Sequence, residues 1–379
     1  MVRLASHATR EGARRVFISV GEASGDAYGA ELVARMRERG TQFEGQAVGG
    51  KRLQATGVEM IADCTRWGAL GILEAFKVGP RVLGGYLKAR QNLRAGTPGH
   101  FIPIDFGFTN IKLARLAKAR GWRVLYFMPP GSWRRNKQGA DLPDITDEIV
   151  TPFPWSADLL AEMGASVHWF GHPLKEMIAA SPDQPRDPTR LAALPGSRAH
   201  EIALNVPAIA KSLPAGVQTV EFAVAPTADV HEMERTWRTA RPDVKAIFTS
   251  GDTYGVLKRA RAAVVCSGTA TLEAALCGCP CTVIYLGSKM MEIEYRIRKP
   301  KFEYISLPNI LLRRQVVPEL IQWDATPERI STEVAGLWRD GIIRDSQLAA
   351  FAELEDLLGP GDALTRTAAL AASMLADVW

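Results

Sequence analysis

No run in this 379-residue chain reaches the ~20 consecutive apolar residues that a helix needs to cross a bilayer. The basic segment Met1 to Arg15 lacks the apolar centre of a signal peptide, so a cytoplasmic protein is expected. Charge of one sign is not in large excess. The net charge of +5 is too mild to mark a nucleic-acid binder, and neither zinc-finger spacing nor an aromatic–basic module is present. A mildly basic surface suits approach to anionic lipid instead. Cysteine is sparse, with five residues, three of them clustered at Cys277, Cys279 and Cys281. No second Cys/His pair stands nearby at ligand spacing, and the cluster leads into the apolar strand pattern Thr282 to Tyr285. Buried packing is therefore expected there rather than a metal, and disulfides do not fit a reducing compartment. The Gly-x-Gly-x-x-Gly fingerprint of dinucleotide folds is missing, as are solenoid-spaced repeats and low-complexity tracts.

What is present is the composition of an ordinary soluble protein, 47% hydrophobic and 23% charged. The length predicts two cores of roughly 150–200 residues each. Short apolar strands alternate with helical patterns in both halves, which gives an α/β class. In the first half, Arg15 to Val20 reads as a strand, Gly21 to Asp26 as a turn, and Ala27 to Glu38 as a helix. In such sheets ligands sit at the carboxyl ends of strands. Glu22 and Asp26 would repel a phosphate there, so they suit sugar hydroxyls or helix capping. Asp105 follows the apolar run Phe101 to Ile104. It reads either as a general base, with partial burial lifting its pKa toward the working range, or as the cap of a helix starting near Asn110. The Met128–Arg135 loop offers a Trp and Arg pair to a sugar or an anion, or is a solvated basic loop. Gly171-His172-Pro173 reads as a domain hinge, with His172 structural.

The second half opens on an apolar segment ending in Pro195-Gly196-Ser197-Arg198, after which His200-Glu201-Ile202 starts a helix. Arg198 can hold a diphosphate by paired charge-assisted bonds, or is a surface residue at a helix start. Val264 to Leu276 reads as strand, tight turn and helix. Ser267 or Thr269 can cap that helix, and its free amides favour an anion. Glu273, one turn in, can accept bonds from a ribose. Ile305 to Leu311 is expected to be extended, and Pro318-Glu319-Leu320 to start a helix. Helical patterns then cover about Pro327 to Trp338, Ser346 to Leu358 and Leu364 to Val378.

Taken together, these pieces resemble the lipid-A-disaccharide synthase family. The resemblance rests on Gly21-Glu22-Ala23-Ser24-Gly25-Asp26, Val48-Gly49-Gly50, Ile104-Asp105 with Asn110, Gly171-His172-Pro173, Leu194 to Arg198 with Glu201-Ile202, Ser267-Gly268-Thr269 with Leu272-Glu273, and Ser306 to Asn309 with Glu319-Leu320. They fall in order over roughly residues 16–322. The family pattern Ala-Pro-Asp-Phe-Asn after the first Asp is replaced here by Phe106-Gly107-Phe108-Thr109-Asn110, and the tryptophan loop is altered at 129–135. Both departures fall in the acceptor half.

The resemblance implies two Rossmann-like domains facing a cleft, the GT-B type. Residues 1–172 would form the acceptor domain and 173–350 the UDP-sugar domain. Residues 351–379 would pack back on the first domain or on a partner subunit. It implies an inverting, metal-independent transferase that moves a 2,3-diacylglucosamine unit from UDP to 2,3-diacylglucosamine 1-phosphate, with no cofactor. Asp105 and Glu22 would be catalytic, with Ser24 and Asp26 binding substrate beside them. Arg198, Glu201, Ser267, Gly268, Thr269, Glu273 and Asn309 would lie on the nucleotide side. A homodimer and a peripheral place on the inner face of the inner membrane are also implied. Basic and apolar residues such as Trp67, Leu70, Phe76, Lys77, Arg81 and Leu83 would form a lipid-facing surface, or else pack in the core. Two other readings remain open on the residues alone: a related transferase with another acceptor, and a non-catalytic binder of nucleotide sugars or lipids.

Overall fold

Strands rich in Val, Ile, Ala and Phe, apolar on both faces, build parallel sheets that helices cover on each side. The computed structural model of the chain describes residues 14–65, 67, 72–130, 140–226, 228–287 and 303–376. It divides into two compact units, Met1–Pro173 with Pro360–Trp379, and Leu174–Gly359.

The first unit holds a sheet of seven parallel strands: β1 (Arg14–Ser19), β2 (Phe43–Gly49), β3 (Glu59–Asp63), β4 (His100–Pro103), β5 (Arg123–Phe127), β6 (Glu148–Thr151) and β7 (Val167–Trp169). Their order is β3-β2-β1-β4-β5-β6-β7, so the winding direction reverses between β1 and β4. Strand β3 carries no strong apolar run to mark it in the sequence; it is an edge strand whose pattern is exposed at both ends. The second unit has six parallel strands: β8 (Asp187–Leu194), β9 (Thr219–Val224), β10 (Lys245–Ser250), β11 (Ala260–Cys266), β12 (Cys281–Tyr285) and β13 (Glu319–Ile321). Their order β10-β9-β8-β11-β12-β13 reverses between β8 and β11. Both sheets are therefore doubly wound, and each has one switch point at which a crevice opens beyond the strand ends.

Two local expectations are corrected. Pro318-Glu319-Leu320 does not start a helix; Glu319–Ile321 pairs with β12 at the sheet edge, and the amide of Val283 donates to the Pro318 carbonyl. Ile305 to Leu311 is not extended throughout, because Leu307–Leu312 forms a short helix with Pro308 in its first turn, where a missing N–H costs nothing. The unit boundaries also differ slightly from those read in the sequence. Residues 351–357 belong to the helix Ile342–Leu357 of the second unit, while the last helix, Ala363–Ala376, packs in the first unit against the helix Ala23–Glu38. The Met374 carbonyl near its end accepts from His100 Nε2 at 2.9 Å and Arg123 Nη1 at 3.0 Å. Gly171 stands at φ +90, and a Cβ there would meet the Pro360 carbonyl oxygen at 2.1 Å, so only glycine lets the returning chain pass.

All five cysteines are buried free thiols. Among the described residues no helix is long and apolar enough to cross a membrane, and no cluster of His, Cys, Asp and Glu has the makings of a metal site.

Candidate active site

The switch point of the first unit collects the residues that follow β1 and β4. Glu22 precedes the helix Ala23–Glu38 as its N-cap residue and is exposed, with Ser24 in the first turn. Across the switch point, Asp105 leaves β4 in the left-handed region at φ +47, followed by Phe106 at φ +50. Non-glycine residues adopt that conformation rarely, Asp more readily than Phe. The helix Gly107–Ala119 begins right after them, and no side chain caps it. Asp105 is therefore no helix cap. Its carboxyl is raised to about 6, first by burial and second by the negative charge of Glu22, against a smaller lowering by the Phe106 amide. A carboxyl with that pKa is mostly ionised at pH 7 and still basic enough to take a proton.

The Asp105 backbone is held from three sides. Its amide donates to the Phe127 carbonyl at 3.1 Å. Its own carbonyl accepts from Asn110 Nδ2 at 3.0 Å and from the Tyr126 hydroxyl at 3.0 Å. Neither side chain was assigned a role from sequence. Asn110 stands in the sequence only as a motif position where a helix starts, and Tyr126 as one residue of a strand pattern, until the turn between them is seen. Phe106 covers Gly21, where a Cβ would fall 2.1 Å from its ring, and packs on Trp67 at 5.8 Å between centroids. Thus the altered residue after Asp105 forms an aromatic wall at the switch point.

Of the two readings of Asp26, the structure shows helix capping, on a different helix from its own. It is buried, and its carboxylate accepts from the amides of Gly50 at 2.6 Å, Arg52 at 2.9 Å and Leu53 at 3.2 Å. It caps the helix Lys51–Ala55 after β2 rather than its own helix, and these bonds occupy both oxygens. His172 is buried, edge-on to Tyr28 at 6.5 Å, and burial pushes its pKa down to about 3, so it is a neutral core residue. The Gly131–Arg135 part of the tryptophan loop lies outside the described residues, as does Leu70. Trp67 is 7% exposed and belongs to the core rather than to a lipid-facing surface.

In the second unit the turns after β8 and β11 flank the other switch point. Arg198 is the N-cap residue of the helix Ala199–Ala210. Glu201, buried, folds back on it: Oε2 accepts from the amides of Ser197 at 3.0 Å and Arg198 at 3.2 Å, and Oε1 accepts from Arg198 Nη1 at 2.6 Å. Glu201 is thus the carboxylate of a capping box and a partner of Arg198. Arg198 Nε is buried without a hydrogen-bond partner. After β11, Ser267 and Thr269 do not cap the helix Thr269–Leu276; its N-cap residue is Gly268, at φ +147. Ser267 Oγ instead donates to the Ile305 carbonyl at 3.1 Å, and Thr271 Oγ1 accepts from the Leu307 amide at 3.2 Å. These two bonds lay the 305–309 turn beside the first turn of that helix, with Glu273 partly exposed one turn in.

Asn309 is fully buried and fully used. Its Nδ2 donates to the Val317 carbonyl and to Glu319 Oε1, and its Oδ1 accepts from the amides of Val316 and Val317. No donor or acceptor is left for a nucleotide, so Asn309 shapes the turn rather than touching a ligand. Glu319 completes the frame by accepting from the amides of Ile305 and Ser306. A cavity of about 410 Å³ in this unit is lined by Lys175, Arg186 and Lys258. It lies at the amino edge of the sheet, away from the switch point, and these cations spend most of their protons on main-chain carbonyls.

Comparison with known proteins gives the family and the fold. A family model described as lipid-A-disaccharide synthetase matches residues 16–369. The lipid-A-disaccharide synthase of Myxococcus xanthus (strain DK1622) is 36% identical over 372 residues, covering 93% of this chain and 96% of that protein. That of Syntrophus aciditrophicus (strain SB) is 32% identical over 381 residues, with 95% and 97% covered. Among solved structures, the S. aureus MnaA–UDP complex matches with a TM-score of 0.61 at 13% identity, covering 96% of this chain and 98% of that one. The calicheamicin glycosyltransferase CalG4 matches with a TM-score of 0.59 at 15% identity, with 97% and 99% covered. At such identities the structures speak to the fold alone: two Rossmann-like domains of the GT-B type.

Proposed function

The chain belongs to the lipid-A-disaccharide synthetase family, and from that premise we propose how its two switch points carry out the family's hexosyl transfer. The donor is UDP-2,3-diacylglucosamine and the acceptor 2,3-diacylglucosamine 1-phosphate. Asp105 takes the proton from the acceptor's 6-hydroxyl as its oxygen forms a bond to the anomeric carbon of the donor. The bond from that carbon to the diphosphate breaks on the opposite face, which inverts the centre. The products are the β-1,6-linked disaccharide 1-phosphate and UDP. The observation that carries this reading is Asp105 itself: a carboxyl raised to about 6 at the carboxyl end of β4, beside the turn that presents Glu22 and Ser24.

On the donor side, Arg198 and the first-turn amides of the helix Thr269–Leu276 suit the diphosphate, with Glu273 on the ribose. Charge on the leaving group then needs no metal, because the guanidinium and the amides neutralise it where it develops. Arg198 commits one donor, on Nη1, to Glu201, which leaves its other Nη for that group. The test separates binding from chemistry. Asp105→Asn is expected to bind UDP as tightly as the parent in titration calorimetry and to lose at least about 100-fold in turnover. Unchanged turnover would remove Asp105 from the role of base.

Two finer features belong to the same proposal. The first is peripheral binding to the inner face of the inner membrane. Its support is the exposure of Leu83 at 55% and Leu87 at 49%, one turn apart on the helix Ile72–Arg94, near the exposed cations Arg81 and Lys88. Co-sedimentation with anionic vesicles at low salt is the expected result, weakened by Leu83→Asp with Leu87→Asp. The second is a homodimer, which rests on the family resemblance and is read directly by sedimentation velocity.

A further inference from the structure

Asn110 sits in the first turn of the helix Gly107–Ala119 with none of its surface exposed. Its Nδ2 faces three main-chain carbonyls: Ser19 at 2.9 Å, Ile104 at 3.1 Å and Asp105 at 3.0 Å. Its Oδ1 accepts from Ser19 Oγ at 2.7 Å. Carbonyls only accept, so the orientation of the amide is set by its surroundings. One side chain thus ties the last residue of β1 to the turn after β4, across the switch point. Tyr126, fully buried in β5, brings its hydroxyl to the same Asp105 carbonyl from the other neighbouring strand at 3.0 Å. Between these donors the backbone holds two consecutive left-handed residues, Asp105 and Phe106. Such residues persist only where surrounding bonds over-determine them.

We propose that Asn110 and Tyr126 are positioning residues for Asp105, which together clamp its carbonyl and so fix the direction in which its carboxylate leaves the turn. The proposal rests on the reading of Asp105 as the base. Releasing the clamp lets the turn relax toward an ordinary conformation and swings the carboxylate away from the acceptor hydroxyl. Ser19 acts one step further out, by fixing the amide of Asn110.

The experiment uses the full chain. Tyr126→Phe keeps the ring and removes one donor from the Asp105 carbonyl; Asn110→Ala removes the other together with the tie to β1. For each variant kcat, the KM for both substrates, the UDP affinity and the urea midpoint are measured, with Asp105→Asn as the control. The expected result for Tyr126→Phe is a fall in kcat of about tenfold with UDP affinity and KM unchanged, since small misplacements of a reacting group are costly. Asn110→Ala is expected to lose more; if it does not fold, Tyr126→Phe decides alone. Full kcat in Tyr126→Phe beside an inactive Asp105→Asn overturns the positioning role and leaves the base intact. A Tyr126→Phe loss shared equally by UDP affinity and urea midpoint also overturns it, as the mark of a merely structural contact. An active Asp105→Asn overturns the base and the positioning role with it.

Discussion

Replacing Asp105 by Asn should make the protein inactive and more stable at the same time. Burial, helped by the charge of Glu22, raises this carboxyl from 3.8 to about 6 in the fold. The folded protein therefore binds the proton more tightly than the unfolded chain does. Acidification from pH 6 toward pH 4 favours the fold through this group, and above pH 6 the ionised carboxylate carries its full penalty. At 1.36 kcal/mol per tenfold of proton affinity, that penalty is about 3 kcal/mol, reduced to about 2 kcal/mol by the solvent that reaches the partly exposed side chain. Asn cannot ionise, and it tolerates the left-handed conformation as Asp does. Urea unfolding at pH 8 should show Asp105→Asn more stable than the parent by about 2 kcal/mol, and at pH 4 the two should coincide. In the parent, kcat/KM should rise with pH and level off above about 6 to 7, because the ionised form is the base. An Asn variant that is less stable at pH 8, or equally changed at both pH values, would refute the argument that burial tunes this carboxyl.

Three further expectations concern the frame. Gly21→Ala places a methyl 2.1 Å from the Phe106 ring and should cost turnover at least tenfold; Phe106→Ala should restore much of it, and a double-mutant cycle without coupling would rule the contact out. Burial holds the Cys64 and Cys266 thiols up at about 12 and Cys279 at about 11, and raises Cys277 and Cys281 as well. The native protein should thus leave all five thiols unreacted with a thiol-specific disulfide reagent at pH 7.5, releasing them only in denaturant; prompt labelling of any one contradicts their burial. Glu221 is 2% exposed. Burial pushes its carboxyl up, but bonds from Arg259, Thr249 and Arg190 outweigh that and keep it below 4.5. Its contribution is present above pH 4.5 and lost as pH falls through the lowered value. Glu221→Gln should destabilise the second unit by about 3–5 kcal/mol in urea unfolding, and a change under 1 kcal/mol would show the arginines to be well solvated without it.

The alternation of strands and helices was legible because buried parallel strands run apolar on both faces, as Val124–Phe127 of β5 and Ala262–Cys266 of β11 do. Strand β3 and the three-residue β13 were not, since edge strands gain their pairing from a neighbour rather than from their own pattern. Asp105 and Arg198 stand out in the sequence because each ends an apolar run at a turn. Asp26 and Asn309 stand out too, but the main-chain bonds that each makes could not be read there. A short polar side chain at a turn can serve a ligand or the main chain, and only the amides placed around it by distant segments (Gly50 to Leu53 for Asp26, Val316 and Val317 for Asn309) decide between them. Glu201 likewise turned inward to Arg198. Asn110 and Tyr126 could not be read, because their shared target is a carbonyl whose position depends on three strands.

One assay decides whether Asp105 and Arg198 serve a metal-free hexosyl transfer: purified protein with UDP-2,3-diacylglucosamine and 2,3-diacylglucosamine 1-phosphate, following sugar product and UDP together in the presence of EDTA. The expected products are β-1,6-linked disaccharide 1-phosphate and UDP in equal amounts, with turnover falling below about pH 6. UDP released without disaccharide, or a strict requirement for added divalent metal, would contradict such a transfer.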